Sequence, residues 1–313
     1  MDVIKTENLR KEFYLGIRRK QHVALESLTL QVSIGEIYGF LGPNGSGKTT
    51  TMKLLTGLCS PTAGQAWLLG KRIGDVAVKN EIGFLPEHPY FYDYLTADEF
   101  LKFYGSLFQK TGRSLGYRID ELLELVGLIS YRTTRLKYFS KGMLQRIGIA
   151  QALINDPRLI LLDEPMSGLD PVGRRTVRDI IVYLREQKKT VFFSSHILPD
   201  AEAICDRVAI LMNGRLVARG PVKDLIGAIS IQEIEVEFND VNSQGVEEIK
   251  KLALNVRVKQ NYVFVTVKDV EGVDALIRLG IVRGWKLQSV IPHRASLEDI
   301  FFREVRKAHD DVS

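Results

Sequence analysis

The run Gly42-Pro43-Asn44-Gly45-Ser46-Gly47-Lys48-Thr49 holds the residue types a phosphate-cradling loop needs, in the order it needs them. Glycines let the backbone bend closely enough for its N–H groups to surround a β-phosphate, a lysine neutralises phosphate oxygens, and a threonine hydroxyl ligates Mg²⁺. Lys48 and Thr49 take the last two parts, and Thr50 adds a further contact. Downstream, the apolar run Leu159-Ile160-Leu161-Leu162 ends in Asp163-Glu164. A buried strand ending in two carboxylates presents them at the edge of the sheet where open α/β folds bind their ligands. There Asp163 is expected to hold the metal through its shell, and Glu164 to orient and deprotonate an attacking water.

Strands alternating with helices must position these groups. Ala24 to Val32 alternates towards a turn at Gly35, and Glu36 to Leu41 is a short apolar run that ends at the glycine-rich loop. Helical spacing follows from Thr49 to Leu58 and stops before Pro61 and Gly64. With Leu159–Leu162, Thr190–Phe193 and Arg207–Leu211, these runs predict a mostly parallel sheet buried on both faces. About Leu95 to Gln109 and Ile119 to Leu128 look helical with no strand between them, so a helical insertion interrupts the α/β pattern.

Beyond Gly220-Pro221 the pattern changes. Ile234–Phe238 and Tyr262–Val267 alternate as strands, Val246–Leu254 and Val270–Leu279 have helical spacing, and Ser296-Leu297-Glu298-Asp299 opens a final capped helix. This predicts a small α+β unit joined through a short linker.

Composition excludes several classes. The 313 residues carry 43 Lys+Arg against 38 Asp+Glu, a formal net charge of +5, and 45% are hydrophobic, which suits a globular chain of about two domains. Two cysteines, Cys59 and Cys205, rule out a disulfide framework and a structural zinc site. The segment Met1–Glu7 lacks the apolar run of a secretory signal, and no stretch reaches the roughly 18 apolar residues of a membrane span. A cytoplasmic chain is expected, held at a membrane only by something else. Basic residues are scattered, with short groups at Arg18-Arg19-Lys20, Arg174-Arg175 and Lys188-Lys189, so a solvated surface rather than a nucleic-acid groove is expected.

Three further motifs carry a resemblance. The loop at 42–49, Leu162-Asp163-Glu164-Pro165, Ser167-Gly168-Leu169-Asp170, His196 and Phe139-Ser140-Lys141-Gly142-Met143-Leu144-Gln145-Arg146 together resemble the ATP-binding subunit of an ABC transporter, over about Val3 to Gly220. The resemblance implies a P-loop NTPase of the ABC ATPase type: a mostly parallel core sheet, an antiparallel β subdomain and a helical insertion at about 88–155, all within 1–220, with the small α+β appendage at 221–313. It implies that two chains sandwich two Mg–ATP head to tail, each loop facing the other chain's signature. Ser140 and Gly142, at the start of a helix expected from Met143 to Leu153, would then aim N–H groups at the γ-phosphate. Closure on ATP and reopening on hydrolysis would drive a membrane partner. His196 would contact the γ-phosphate and the attacking water, Asp170 would reach across the interface, and Phe13 would stack on adenine, with Tyr14 beside it as the alternative.

Two departures stand out. Where the family commonly has glutamine after the strand Ile82–Pro86, this chain has Glu87, which either binds the metal directly or needs a proton or basic neighbour. In the signature, Phe139, Lys141 and Met143 replace three residues of Leu-Ser-Gly-Gly-Gln. These variants, with the C-terminal unit, are similar to a bacterial branch that pairs with a separate six-span exporter subunit. Tyr90 and Tyr92 are expected to line the groove for that permease. The other reading is a soluble ABC-type ATPase working on nucleic acid or ribosomes. It is disfavoured because the chain has neither a second cassette nor a long coiled-coil insertion.

Overall fold

The computed structural model describes residues 1–15, 20–227, 233–293 and 296–310. Of the basic group noted above, Arg18 and Arg19 lie outside them. The chain divides into two compact units, Met1–Val222 and Lys223–Ser313.

In chain order the first unit contains β1 (Asp2–Leu15), β2 (Lys20–Ser33), β3 (Ile37–Leu41), α1 (Lys48–Leu55), β4 (Ala63–Leu68), β5 (Lys71–Arg72), β6 (Ile82–Leu85), α2 (Ala97–Leu107), α3 (Gly112–Leu125), α4 (Lys141–Ala152), β7 (Leu159–Leu162), α5 (Pro171–Glu186), β8 (Thr190–Ser195), α6 (Leu198–Ile204), β9 (Arg207–Met212) and β10 (Arg215–Pro221). A six-stranded sheet runs β10-β9-β3-β8-β7-β6, parallel except for its β10 edge. Every residue of β3, β7 and β8 is buried, as their apolar stretches require, the hydroxyls of Thr190, Ser194 and Ser195 in β8 included. A second, antiparallel sheet has the order β2-β1-β4-β5. Met52, Leu54 and Leu55 of α1 join the apolar side chains of both sheets in one core, with Tyr38, Phe40 and Phe192 among its largest members. On α5, Val177, Ile180, Ile181 and Leu184 are buried, and this helix packs against β8 and β3.

Helix ends differ from the sequence expectation where capping decides them. Helix α1 stops at Leu55, short of Leu58, because Gly57 turns to φ 72° and the Leu58 N–H folds back to the Lys53 carbonyl. Helix α3 begins seven residues before the expected Ile119, at Gly112, and ends ahead of Gly127 at φ 64°. Helix α4 begins at Lys141 rather than Met143, since the Ser140 hydroxyl accepts the Met143 N–H and makes Ser140 the N-cap.

The second unit carries a four-stranded antiparallel sheet in the order β12-β13-β11-β14, from β11 (Glu233–Asn239), β12 (Asn255–Lys259), β13 (Tyr262–Val267) and β14 (Lys286–His293). After α7 (Val222–Gly227), it also has α8 (Ser243–Lys250), α9 (Val270–Arg283) and α10 (Leu297–Asp310). Alternation buries Ile234, Val236 and Phe238 with Val263, Val265 and Val267, against Ile249 of α8 and Val273 and Leu276 of α9. The expected helix to Leu254 ends instead at Lys250, and Leu254 joins the sheet through its N–H to the Thr266 carbonyl.

Candidate active site

The strand order gathers the chemistry. Strands β3, β8, β7 and β6 are adjacent and parallel, so their C-terminal ends lie side by side. The glycine-rich loop follows β3, His196 follows β8, Asp163-Glu164 follow β7 and Glu87 follows β6. The register aligns Leu41 with Ser195, Phe193 with Leu162, and Leu162 with Leu85. Residues distant in sequence therefore converge at one sheet edge.

Two glycines in the loop are required by space and torsion. Gly42 has φ 155° and faces the Leu211 carbonyl, and Gly47 has φ 108° and faces the Ala24 carbonyl. A Cβ at either position would collide with backbone oxygen. Lys48 is buried, and its Nζ donates to the Gly42 and Pro43 carbonyls at 2.8 and 3.1 Å and pairs with Glu164 Oε1 at 3.1 Å. The other Glu164 oxygen lies 2.8 Å from His196 Nδ1. Glu164 itself adopts φ 51°, a left-handed conformation that a glutamate enters only when its surroundings hold it there.

Ser194 is what holds it. Its buried hydroxyl donates to Asp163 Oδ1 at 2.6 Å and accepts the Glu164 N–H at 2.8 Å. Thr49 Oγ1 lies 3.4 Å from the same Asp163 oxygen and 3.3 Å from Glu87 Oε2. Burial pushes the Asp163 carboxyl above the ordinary carboxylate range; hydrogen bonds from Ser194 and Thr49 pull it down, and the nearby Glu87 and Glu164 charges push it up again. Ser194 was not singled out by the sequence analysis. The signal for it is a hydroxyl directly after the apolar run Val191-Phe192-Phe193 in a strand buried throughout, where a buried polar group must find a partner.

A cavity of about 400 Å³ opens over these groups, lined by Phe13, His22, Ala24, Asn44, Gly45, Gly47, Lys48, Thr49, Thr50, Glu87 and Glu164. Phe13 thus faces the cavity, and Tyr14, the next residue on the strand, is not part of its lining. His22 stands opposite Phe13 in the β1–β2 ladder and enters the lining for that reason.

Ser140, Gly142 and Asp170 lie elsewhere. They line a second cavity of about 490 Å³, with Lys141, Arg146, Gly168, Leu169, Val172, Gly173 and Thr176. Asp170 caps α5, accepting the Gly173 N–H at 2.6 Å. Lys141 leans over Gly168, where any Cβ would meet its ammonium.

Comparison with known proteins bears on this arrangement. The ABC transporter family profile matches residues 25–167. An uncharacterised ABC transporter ATP-binding protein of Synechocystis is 44% identical over 311 residues, covering 98% of this chain and 85% of the relative. The bacitracin transport ATP-binding protein of Bacillus licheniformis is 34% identical over 305 residues, covering 96% of each. Among solved structures, a dimeric ATP-binding cassette in a post-hydrolysis state bound to ADP and Pi superposes with a TM-score of 0.64 at 26% identity, over 70% of this chain and 98% of that one. Near-complete coverage at this identity leaves one placement for the chain: it belongs to the ATP-binding, ATP-hydrolysing subunits of ABC transporters.

Proposed function

We propose that two copies of this chain close head to tail around two Mg–ATP and reopen on hydrolysis, powering an exporter through a separate permease at the inner face of the cell membrane. The observation that carries this reading is the split of the site. Within one chain, the phosphate loop with its carboxylates and the signature residues Ser140 and Gly142 line two different cavities. A Cβ on Gly142 would meet only Leu169, at an ordinary 3.9 Å, so nothing in its own chain demands a glycine there. A phosphate brought by a partner would.

In this reading Gly42, Pro43, Asn44, Gly45, Ser46, Gly47, Lys48, Thr49 and Thr50 surround the phosphates, and Phe13 stacks on the base. Ser46 fits this role, because its buried hydroxyl has no hydrogen-bond partner among the described residues. The all-oxygen donor set of Thr49, Asp163 and Glu87 suits Mg²⁺, which favours oxygen ligands and completes its shell with phosphate and water. Bound there, the ion would neutralise charge on the phosphates. Lys48 exchanges its Glu164 partner for phosphate oxygens, which releases the Glu164 carboxylate to accept a proton from water. His196, already against Glu164, is placed to hold that carboxylate and the γ-phosphate in one geometry. Asp170 would act from the partner's side of the interface.

The exporter assignment rests on the signature variants and on a fluoroquinolones export ATP-binding protein of Mycobacterium tuberculosis, 41% identical over 219 residues that cover 69% of this chain and 71% of that one. No described helix is long and apolar enough to cross a membrane, and in this reading a separate permease provides the span. A groove of about 250 Å³ at the start of β6, lined by Thr56, Leu58, Phe84, Phe108 and Gln151 among others, is our site for its cytoplasmic helix. Tyr90 and Tyr92 do not line that groove; Tyr90 is exposed and stacks edge-on with Tyr92, which packs against Phe103.

Mixing two inactive variants tests the sandwich. Lys48→Ala lacks a phosphate loop and Gly142→Asp lacks a signature. Head-to-tail pairing leaves one intact composite site in each mixed dimer, so mixing should restore ATPase activity. No recovery in dimers shown by pull-down to be mixed would refute the shared site.

A further inference from the structure

Resting on the nucleotide site just proposed, we infer that Glu87 makes the divalent cation a condition of nucleotide binding in this chain, rather than an aid to it. The charges around the phosphate loop are unusually one-sided. Lys48 is its cation, and it is already paired with Glu164 at 3.1 Å. Against it stand the carboxylates of Glu164, Asp163 and Glu87.

Thr49 shows how the last two are related. Its Oγ1 lies between Glu87 Oε2 at 3.3 Å and Asp163 Oδ1 at 3.4 Å, and one hydroxyl proton serves only one of them at a time. The other carboxylate is left facing a like charge. Among the described residues the cation recorded against Glu87 is His88, whose Nε2 is 3.9 Å from Glu87 Oε1 on a side chain almost wholly in solvent, too loose and too wet to neutralise it. Glu87 also lines the cavity, so its charge faces incoming phosphate.

Free ATP carries more negative charge than cation-loaded ATP and meets this cluster unfavourably. A cation lying between Thr49, Asp163 and Glu87 reverses the sign of the interaction. Glutamine at this position would offer a neutral carbonyl, which tolerates free ATP and binds the cation less strongly. The substitution therefore changes the order of dependence: with Glu87, the nucleotide enters only together with its ion.

The test is equilibrium binding of a ribose-labelled fluorescent ATP, with Mg²⁺ or with chelator, to wild type, Glu87→Gln and Glu87→Asp. Each variant's fold is checked by thermal melting. Withdrawing Mg²⁺ should weaken wild type and Glu87→Asp on the order of tenfold more than Glu87→Gln. Equal weakening in wild type and Glu87→Gln would overturn the inference and leave the site intact. Failure of folded wild type to bind the probe even with Mg²⁺ would instead overturn the nucleotide site on which the inference rests.

Discussion

Replacing Ser194 by alanine tests whether the two carboxylates are positioned by the strand beside them. The hydroxyl is wholly buried and serves both residues, at 2.6 Å to Asp163 and 2.8 Å from the Glu164 N–H. Its loss leaves a buried N–H unsatisfied, costing about 1–3 kcal/mol, and removes a hydrogen bond to a charged group worth about 1.5–3 kcal/mol. A combined loss of about 4 kcal/mol, at roughly 2–4 °C per kcal/mol for a unit of this size, lowers Tm by about 10 °C. The freed Glu164 backbone, at φ 51°, also relaxes away from the water it must face. ATPase activity should fall more than about tenfold, in kcat rather than KM, since the phosphate loop is untouched. Ser195→Ala is the control, because that hydroxyl accepts the Ile197 N–H at 2.9 Å and donates to the Ile197 carbonyl at 3.4 Å, both within its own turn and away from the carboxylates. Calorimetric melting and steady-state phosphate release would measure both effects. A Ser194→Ala protein that melts within 2 °C of wild type and keeps its kcat would refute the reasoning; that threshold lies below one unsatisfied bond.

Other outcomes follow from the same geometry. Asp163 has a carboxyl raised above its unfolded value of 3.8, chiefly by burial, so between that value and the raised one the folded state holds a proton that the unfolded chain has released. Stability from this group is present below pH 3.8 and is lost as pH rises through the raised folded value; Asp163→Asn, which keeps an oxygen for Ser194 and Thr49, should remove that slope and raise the nucleotide-free Tm near neutral pH, read by calorimetric melting across pH. Lys48→Ala should abolish nucleotide binding by calorimetric titration. It should also destabilise the fold by about 3–5 kcal/mol, because it strands the buried Glu164 carboxylate without its cation. Phe238→Ala should cost about 3–5 kcal/mol in the second unit, measured by denaturant titration followed at Trp285, since that ring is buried against Trp285 and Gly280.

The parallel sheet was legible because β3, β7, β8 and β9 are short apolar runs that cannot be solvated on either face. Its strand order, and so the meeting of four distant motifs, is not written in any local pattern. The edges were harder to read. Strand β4, Ala63-Gly64-Gln65-Ala66-Trp67-Leu68, is short of β-branched residues and its first half is exposed, so its pairing with β1 rather than its composition makes it a strand. Strands β12 and β14 flank their sheet and expose Val258, Leu287, Val290 and Ile291, which blurs the alternation that marked β11 and β13. In the site, loop and carboxylate residues announce themselves by type and spacing. Ser194 and His22 do not: the first depends on which strand adjoins β7, the second on a β1–β2 register interrupted by several shifts.

The central claim is that ATP, and not ADP, closes two chains around sites in which Glu164 is the base. Light scattering of Glu164→Gln, purified without nucleotide and then mixed with Mg–ATP or Mg–ADP, measures this most directly. The account predicts that the mass doubles with ATP and stays monomeric with ADP, while wild type dimerises only transiently. A Glu164→Gln protein that binds ATP yet remains a monomer, or hydrolyses it at the wild-type rate, would contradict it.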